Sequence, residues 1–225
     1  MSSSHLGTRE RILAETSRLM AERRGQGVRL EDVARAVGIS RQALYLHFGS
    51  RTALLIATAR YADQSHGLRE RLGPFRAAPT GLEALDTFVD FWGHYLPEIY
   101  GLARALRDAR ATDEAAAAAW ADRMAALRRS CQHIIAGLAR DGQLAPDWAA
   151  EGAADLLWSL LSIAVWEDLT IACGWTTEQY VGGMRATLRR AFVREPEQPI
   201  GSPGSHVDVR VPSTRAVPAS QSGEP

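Results

Sequence analysis

The chain has 225 residues, 46% hydrophobic and 23% charged, the proportions of an ordinary globular protein. No apolar stretch is long and uncharged enough to span a membrane, and Met1–Gly7 lacks the apolar run of a secretion signal, so a cytoplasmic location is expected. The net charge of zero hides an asymmetry, with ten Arg against five acids in residues 1–60 and sixteen Arg against twenty-one acids in the rest; a basic end on a neutral chain points to a local anionic partner, of which phosphate is the usual one.

Periodicity is helical throughout, which gives an all-α fold class. A first helix is predicted after Gly7–Thr8, with Ile12, Leu13, Thr16, Leu19 and Met20 on one face and Gly25 as its stop. A second spans about Leu30–Val37 and stops at Gly38. A third runs from Arg41 to Phe48 behind Ser40 as N-cap. A long fourth helix is expected from Arg51 to Leu72, where Gly73–Pro74 and Pro79 mark a break. Thr80–Glu83 reads as a capping box, and Pro97 is expected to kink or end the helix that follows. A short helix (98–110) comes next. A long Ala-rich helix then runs from Thr112–Glu114 to Asp141, with Gly142 as its stop. The next helix begins at Pro146–Asp147 and ends near Gly174. Thr176–Gln179 is a second capping box opening a last helix to about Arg194. Six of the ten prolines fall in residues 196–225, so disorder is expected there.

The stretch Leu30–Gly49, LEDVARAVGISRQALYLHFG, meets the needs of two short helices held at a fixed angle. Ala34 is small where the helices cross, Gly38 tolerates a left-handed turn, and Val33, Val37, Ile39 and Leu44 interlock behind it. Ser40, Arg41, Gln42 and Tyr45 then face outward. This is a helix-turn-helix, whose second helix enters the DNA major groove. Arg11–Leu13, Gly27–Val28, Val33–Ala34, Val37–Ser40, Leu44–Phe48 and the following Ser50, Arg51, Leu54 and Leu55 together resemble the DNA-binding domain of the TetR/AcrR-type bacterial transcriptional regulators.

The resemblance implies an N-terminal three-helix DNA-binding domain at residues 8–67 (motif 30–49), after a flexible 1–7. A long linker helix would join it to an effector-binding and dimerisation domain at 68–194, followed by a disordered tail, 195–225. It implies a homodimeric repressor that a small-molecule effector releases from a palindromic operator of double-stranded DNA. Tyr45 and His47 match positions facing phosphate, and Arg51 stands where a phosphate-binding Lys is usual. Arg41 and Gln42 occupy the base-reading end, where Arg can read guanine and Gln adenine. Arg29 replaces a frequent capping Thr and is a candidate phosphate contact, and Ser40 is a candidate DNA-binding residue.

For the remainder, Phe88, Trp92, Tyr95, Trp120, Met124 and Trp158 are candidate pocket residues for a large aromatic or lipophilic effector, with hydrophobic core as the alternative. The helix around 148–172 is apolar nearly all round and so needs cover on two sides. Its Leu157, Leu161 and Val165, with Val181, Met184 and Leu188 of the last helix, are candidate dimer contacts. No enzyme is expected: the six histidines lack metal-ligand spacing, no nucleophile elbow is present, and no metal or cofactor is called for. Cys131 and Cys173 are read as reduced thiols, with a single disulfide left open. Glu167–Asp168 is the one acidic pair in an apolar helix, read as a surface or dimer-rim feature.

Overall fold

The computed structural model describes residues 7–23 and 28–194. The described residues are helical with no named strand, apart from one isolated bridge between Leu144 and Val193. The first helix, α1 (Thr8–Glu22), buries the five residues its spacing predicts. The stop expected at Gly25 lies outside the described residues, as do residues 1–6 and 195–225, for which flexibility and disorder are expected. α2 (Leu30–Val37) ends at Gly38, whose φ of 78° is left-handed; a side chain there would be strained. α3 (Arg41–Phe48) and α4 (Arg51–Ser65) begin alike: the hydroxyls of Ser40 and Ser50 accept the N–H groups of Ala43 and Ala53, satisfying donors that a helix start leaves unpaired.

The fourth helix is shorter than its sequence pattern predicts. It closes at His66, and Gly67 turns left-handed at φ 60°. Two single turns follow, α5 (Leu68–Arg71) and α6 (Gly73–Arg76), the second carrying Pro74 at its start. The opposite correction applies at Pro97. α7 (Gly81–Ala109) runs unbroken through it, although an interior proline costs about 3 kcal/mol. Tyr95, Leu96 and Tyr100 are buried on both sides of the proline, and each is worth about 1.5–3 kcal/mol in burial, so tertiary packing outweighs the local preference.

α8 (Glu114–Arg140) is capped by Asp113, and Gly142 follows it with φ 66°. The long apolar helix expected next is three pieces. α9 (Ala150–Leu160) ends at Leu161, Ser162 caps a new start for α10 (Ile163–Glu167), and residues Asp168–Ala172 continue as a π-helix. The last helix, α11 (Thr177–Phe192), opens with the full Thr176–Gln179 capping box.

Two apolar cores result. One joins α1–α4 around Ile12, Val33, Leu44 and Leu54; the other joins α7–α11 around Leu85, Ile134, Leu157 and Phe192. The two meet on α7, whose Leu102, Ala105 and Leu106 belong to the first core and whose Leu85 to Tyr100 belong to the second.

At its other end α7 crosses α8 with backbones touching. A Cβ on Gly81 would lie 2.1 Å from the Leu138 nitrogen and 2.4 Å from the Gly137 carbonyl carbon. Backbone cannot yield as a side chain does, so Gly81→Ala is expected to cost at least about 3 kcal/mol. Gly152→Ala, whose Cβ would meet nothing within 4 Å, is expected to gain about 0.5–1 kcal/mol from helix propensity. Urea unfolding of both variants reads this out; equal stabilities would contradict the crossing.

Candidate nucleic-acid interface and ligand cavity

The helix-turn-helix geometry follows from the α2 and α3 side chains. Val33, Ala34 and Val37 of α2 and Leu44 and Phe48 of α3 are buried together. Across the turn, the Gly38 and Ile39 N–H groups both donate to the Ala34 carbonyl, at 3.0 and 2.9 Å. From α1, Arg11 donates to the Val37 carbonyl at 2.9 Å, closing the C-terminus of α2. Phe48 is the expected core anchor, with the Arg9 guanidinium 4.9 Å above its ring.

The outward face carries the expected polar residues. Ser40, Arg41, Gln42, His47 and Arg51 are exposed, and Tyr45 is half-buried. Arg41 is not splayed outward: it pairs with Glu31 at 2.8 Å and its guanidinium lies 5.5 Å over the Tyr45 ring. Arg29 is exposed, and its backbone N–H donates to Asp32, which also takes Arg23 at 2.9 Å. Those bonds, the backbone one first, hold the Asp32 carboxyl below its usual range. Thus Asp32 satisfies the N–H of the N-cap residue, although Arg29 offers no side-chain oxygen to the first turn. Arg29, Glu31, Arg41, Tyr45 and Arg51 rim one depression at the start of α2, where three guanidiniums and helix N–H groups suit an anion. One residue escaped the sequence reading. Leu46 is 84% exposed, one turn after Gln42 on the same face, and an apolar side chain there suits the methyl group of thymine. The sequence reading names it only as part of the Leu44–Phe48 stretch.

Behind the head, Thr52 of α4 donates to Asp113 at the start of α8, at 2.5 Å. A cavity of about 140 Å³ lies among α5, α7, α8 and α10, walled by Phe88, Phe91, Trp92, Tyr95, Trp120 and Met124, among others. Five of the six expected pocket residues line it. Trp158 does not: it packs on the outer side of α8, donating to the Met124 carbonyl at 3.3 Å with Arg128 over its ring. Trp92 is fixed by donation to the Leu161 carbonyl at 2.8 Å. Tyr95 donates to Asp63 of α4 at 2.8 Å; burial first, and that carboxylate second, push its phenol far above the ordinary range, so it stays a donor. The space as it stands is smaller than the large ligand expected would fill. Cavities near 150 Å³ admit about one benzene ring, whereas drug-sized ligands fill roughly 300–1,000 Å³.

The expected dimer contacts need revision. Leu157, Leu161, Val181, Met184 and Leu188 are all sealed in the protomer's own core, and Val165 is half-buried. The sequence reading assumed one continuous helix, but the break at Leu161–Ser162 and the π-helical segment re-phase its faces. The large apolar groups exposed here are Ile171 and Trp175, at 39% and 37%. Trp175 leans on Gly183, where a Cβ would meet its ring at 2.7 Å. Exposed Gly182 and Ala186 continue the surface on α11. Glu167 also turns inward, accepting from Tyr100 and from Arg107 at 2.9 Å.

Residues 12–58 match the family described as bacterial regulatory proteins, tetR family. The chain carries the DNA-binding domain of the TetR family. The whole described fold agrees with solved TetR-like structures. A transcriptional regulator from Saccharomonospora viridis in complex with choline superposes with a TM-score of 0.72 at 18% identity, over 83% of this chain and 98% of that one. A TetR-family regulator from Agrobacterium tumefaciens gives 0.65 at 15% identity, over 81% and 96%. The ketosteroid transcriptional regulator KstR2 of Mycobacterium tuberculosis gives 0.60 at 19% identity, over 87% and 98%. No curated protein matches the chain in sequence.

Within a TetR head, the exposed Gln42–Leu46 stripe and the arginine-rimmed depression have separable signatures. Gln42→Ala and Leu46→Ala are each expected to change base preference at one or two adjacent positions by about 1–3 kcal/mol. Arg51→Ala is expected to weaken all sequences alike and to lower the slope of log affinity against log salt by about one. Library selection followed by salt titration of the selected duplexes measures both; a uniform loss in Leu46→Ala would remove it from the reading face.

Proposed function

We propose that this TetR-family regulator is a homodimeric cytoplasmic repressor, released from a palindromic operator when a small molecule enters the α7–α8 cavity. The observation that carries the reading is the helix-turn-helix with an outward Gln42–Leu46 stripe flanked by Arg29, Arg41 and Arg51. Residues 8–67 act as the DNA head and 68–194 as the sensing and dimerising body. Ser40, Tyr45, His47, Arg29 and Arg51 hold phosphates, while Gln42, with Arg41 once it leaves Glu31, reads bases. The Arg41–Glu31 pair is exposed and therefore weak, so a guanine edge or a phosphate can outcompete it.

Repression by a dimer requires two heads on one DNA face, about 34–36 Å apart or a multiple of that. Ile171, Trp175 and the small residues of α11 offer the body a self-complementary apolar surface. Ligand entry weakens DNA binding to the extent that it favours a different head spacing. The S. viridis relative binds choline, which supports a sensing body in this architecture.

The decisive experiment is selection from a randomised duplex library at two salt concentrations. An enriched inverted repeat, lost at high salt, is the expected result; no enrichment at either salt would falsify the proposal. Ile171→Glu with Trp175→Glu is expected to convert a sedimenting dimer to monomer while helical circular dichroism is retained. A dimer that persists in the double variant places the interface elsewhere.

A further inference from the structure

Asp63 projects from α4, yet its partners stand on two other helices. Its carboxylate accepts the Tyr95 hydroxyl of α7 at 2.8 Å and both terminal nitrogens of Arg123 of α8, at 3.2 and 2.8 Å. Tyr95 and Arg123 both line the cavity; Asp63 does not. A carboxylate on the DNA-head side is thus held by two groups of the cavity wall. Arg123 spends two donors of its fork on Asp63, and its Nε–H donates to no described residue.

The charge of the wall selects among ligands. Arg123 is the one charged side chain among the described cavity walls, and no carboxylate lines them. Aromatic rings by themselves favour a cation, and two of these rings already carry one. The Arg71 guanidinium lies 5.7 Å over the Phe91 ring and 5.3 Å over that of Tyr95, held from its other side by Glu98 at 2.8 Å. Arg71 is not part of the cavity wall, so an entering ammonium would meet the Arg123 guanidinium and no carboxylate, whereas an entering carboxylate would meet one counter-ion there, the open edge of Arg123. The apolar remainder of the wall, and a volume of about 140 Å³, suit one ring beside that carboxylate.

We propose that the cavity binds a compact aromatic carboxylate, which competes with Asp63 for Arg123 and so unfastens α4 from α8. This deepens the sensing part of the function proposed above and rests on it. Once Arg123 turns to the ligand, Asp63 keeps only Tyr95. The helix that begins with Arg51 then loses the fork that held its C-terminal half.

The test uses the full chain without DNA. Benzoate and phenylacetate are titrated beside benzyl alcohol, phenylacetamide and benzylamine, by calorimetry and by quenching of the tryptophans in the wall. The carboxylates are expected to bind at least about tenfold tighter than the neutral and cationic probes. Asp63→Asn, which removes the competitor, is expected to tighten carboxylate binding by about threefold or more and leave phenylacetamide unchanged. Arg123→Gln is expected to abolish the preference; where it fails to fold by circular dichroism, Arg123→Lys, which keeps the charge but not the fork, is expected to reduce it. Equal or tighter binding of the amine or amide, no tightening in Asp63→Asn, or no binding by any probe would each overturn the proposal. DNA binding is scored separately by the library selection, so a regulator that binds DNA but ignores carboxylates is distinguishable from a chain that binds no DNA.

Discussion

Everything in this molecule depends on one rod serving two cores. The N-terminal part of α7 is buried among α8–α11, and its last turns place Leu102, Ala105 and Leu106 among α1–α4. Packed interiors are dense and transmit strain rather than absorb it. A displacement at Phe88, Trp92 or Tyr95 is therefore felt beneath the DNA head, because the same hydrogen-bonded rod carries both sets of residues. The proline at 97 would have severed that rod, and burial on both sides of it is what keeps it whole.

Around this rod the polar ties differ in weight. Arg18 with Glu15 and Glu22, or Arg128 with Asp155, are exposed pairs on the surface and contribute little to stability. The ties from α4 are of another kind, because each spans distant parts of the chain. Thr52 reaches Asp113 and Asp63 reaches Tyr95 and Arg123, so α4 is pinned near both ends to the body. The Asp113 carboxyl is held below its usual range by the Thr52 hydroxyl first and by the Ala116 N–H second. One side chain thus caps α8 and holds α4 at once.

The sequence showed whatever depends on local chemistry. Ser40, Thr80 and Thr176 cap the helices they were expected to open, because an N-cap needs only its own hydroxyl and the next turn. Gly38 was legible for the same reason. Failures came where distant contacts decide. Pro97 looked like an end, but it lies exposed, and the burial of Tyr95, Leu96 and Tyr100 around it carries the helix through. Gly67 was hidden inside an apolar repeat that read as one linker helix. The re-phasing at Ser162 and the π-helical segment moved the exposed apolar face to Ile171 and Trp175, a change invisible to any fixed 3.6-residue period. Asp63 gave no signal, since a lone acid on a helix reads as surface until Tyr95 and Arg123 arrive from thirty or more residues away.

The bare crossing of Gly81 on Gly137 and Leu138 acquires a mechanical meaning from its position. With backbones in contact and the Gly81 N–H donating to Asp141 at 2.7 Å, the two helices are held together there, so the crossing can serve as a fulcrum at one extremity of α7. Leu106 lies about 37 Å along the axis from it, at 1.5 Å per residue. A tilt of about 4° about that point carries the far end through about 2.6 Å, by the same helical rise. On the proposed function, a small change around a single ring in the cavity would be magnified along this arm into a shift at the head comparable to the width of an atom.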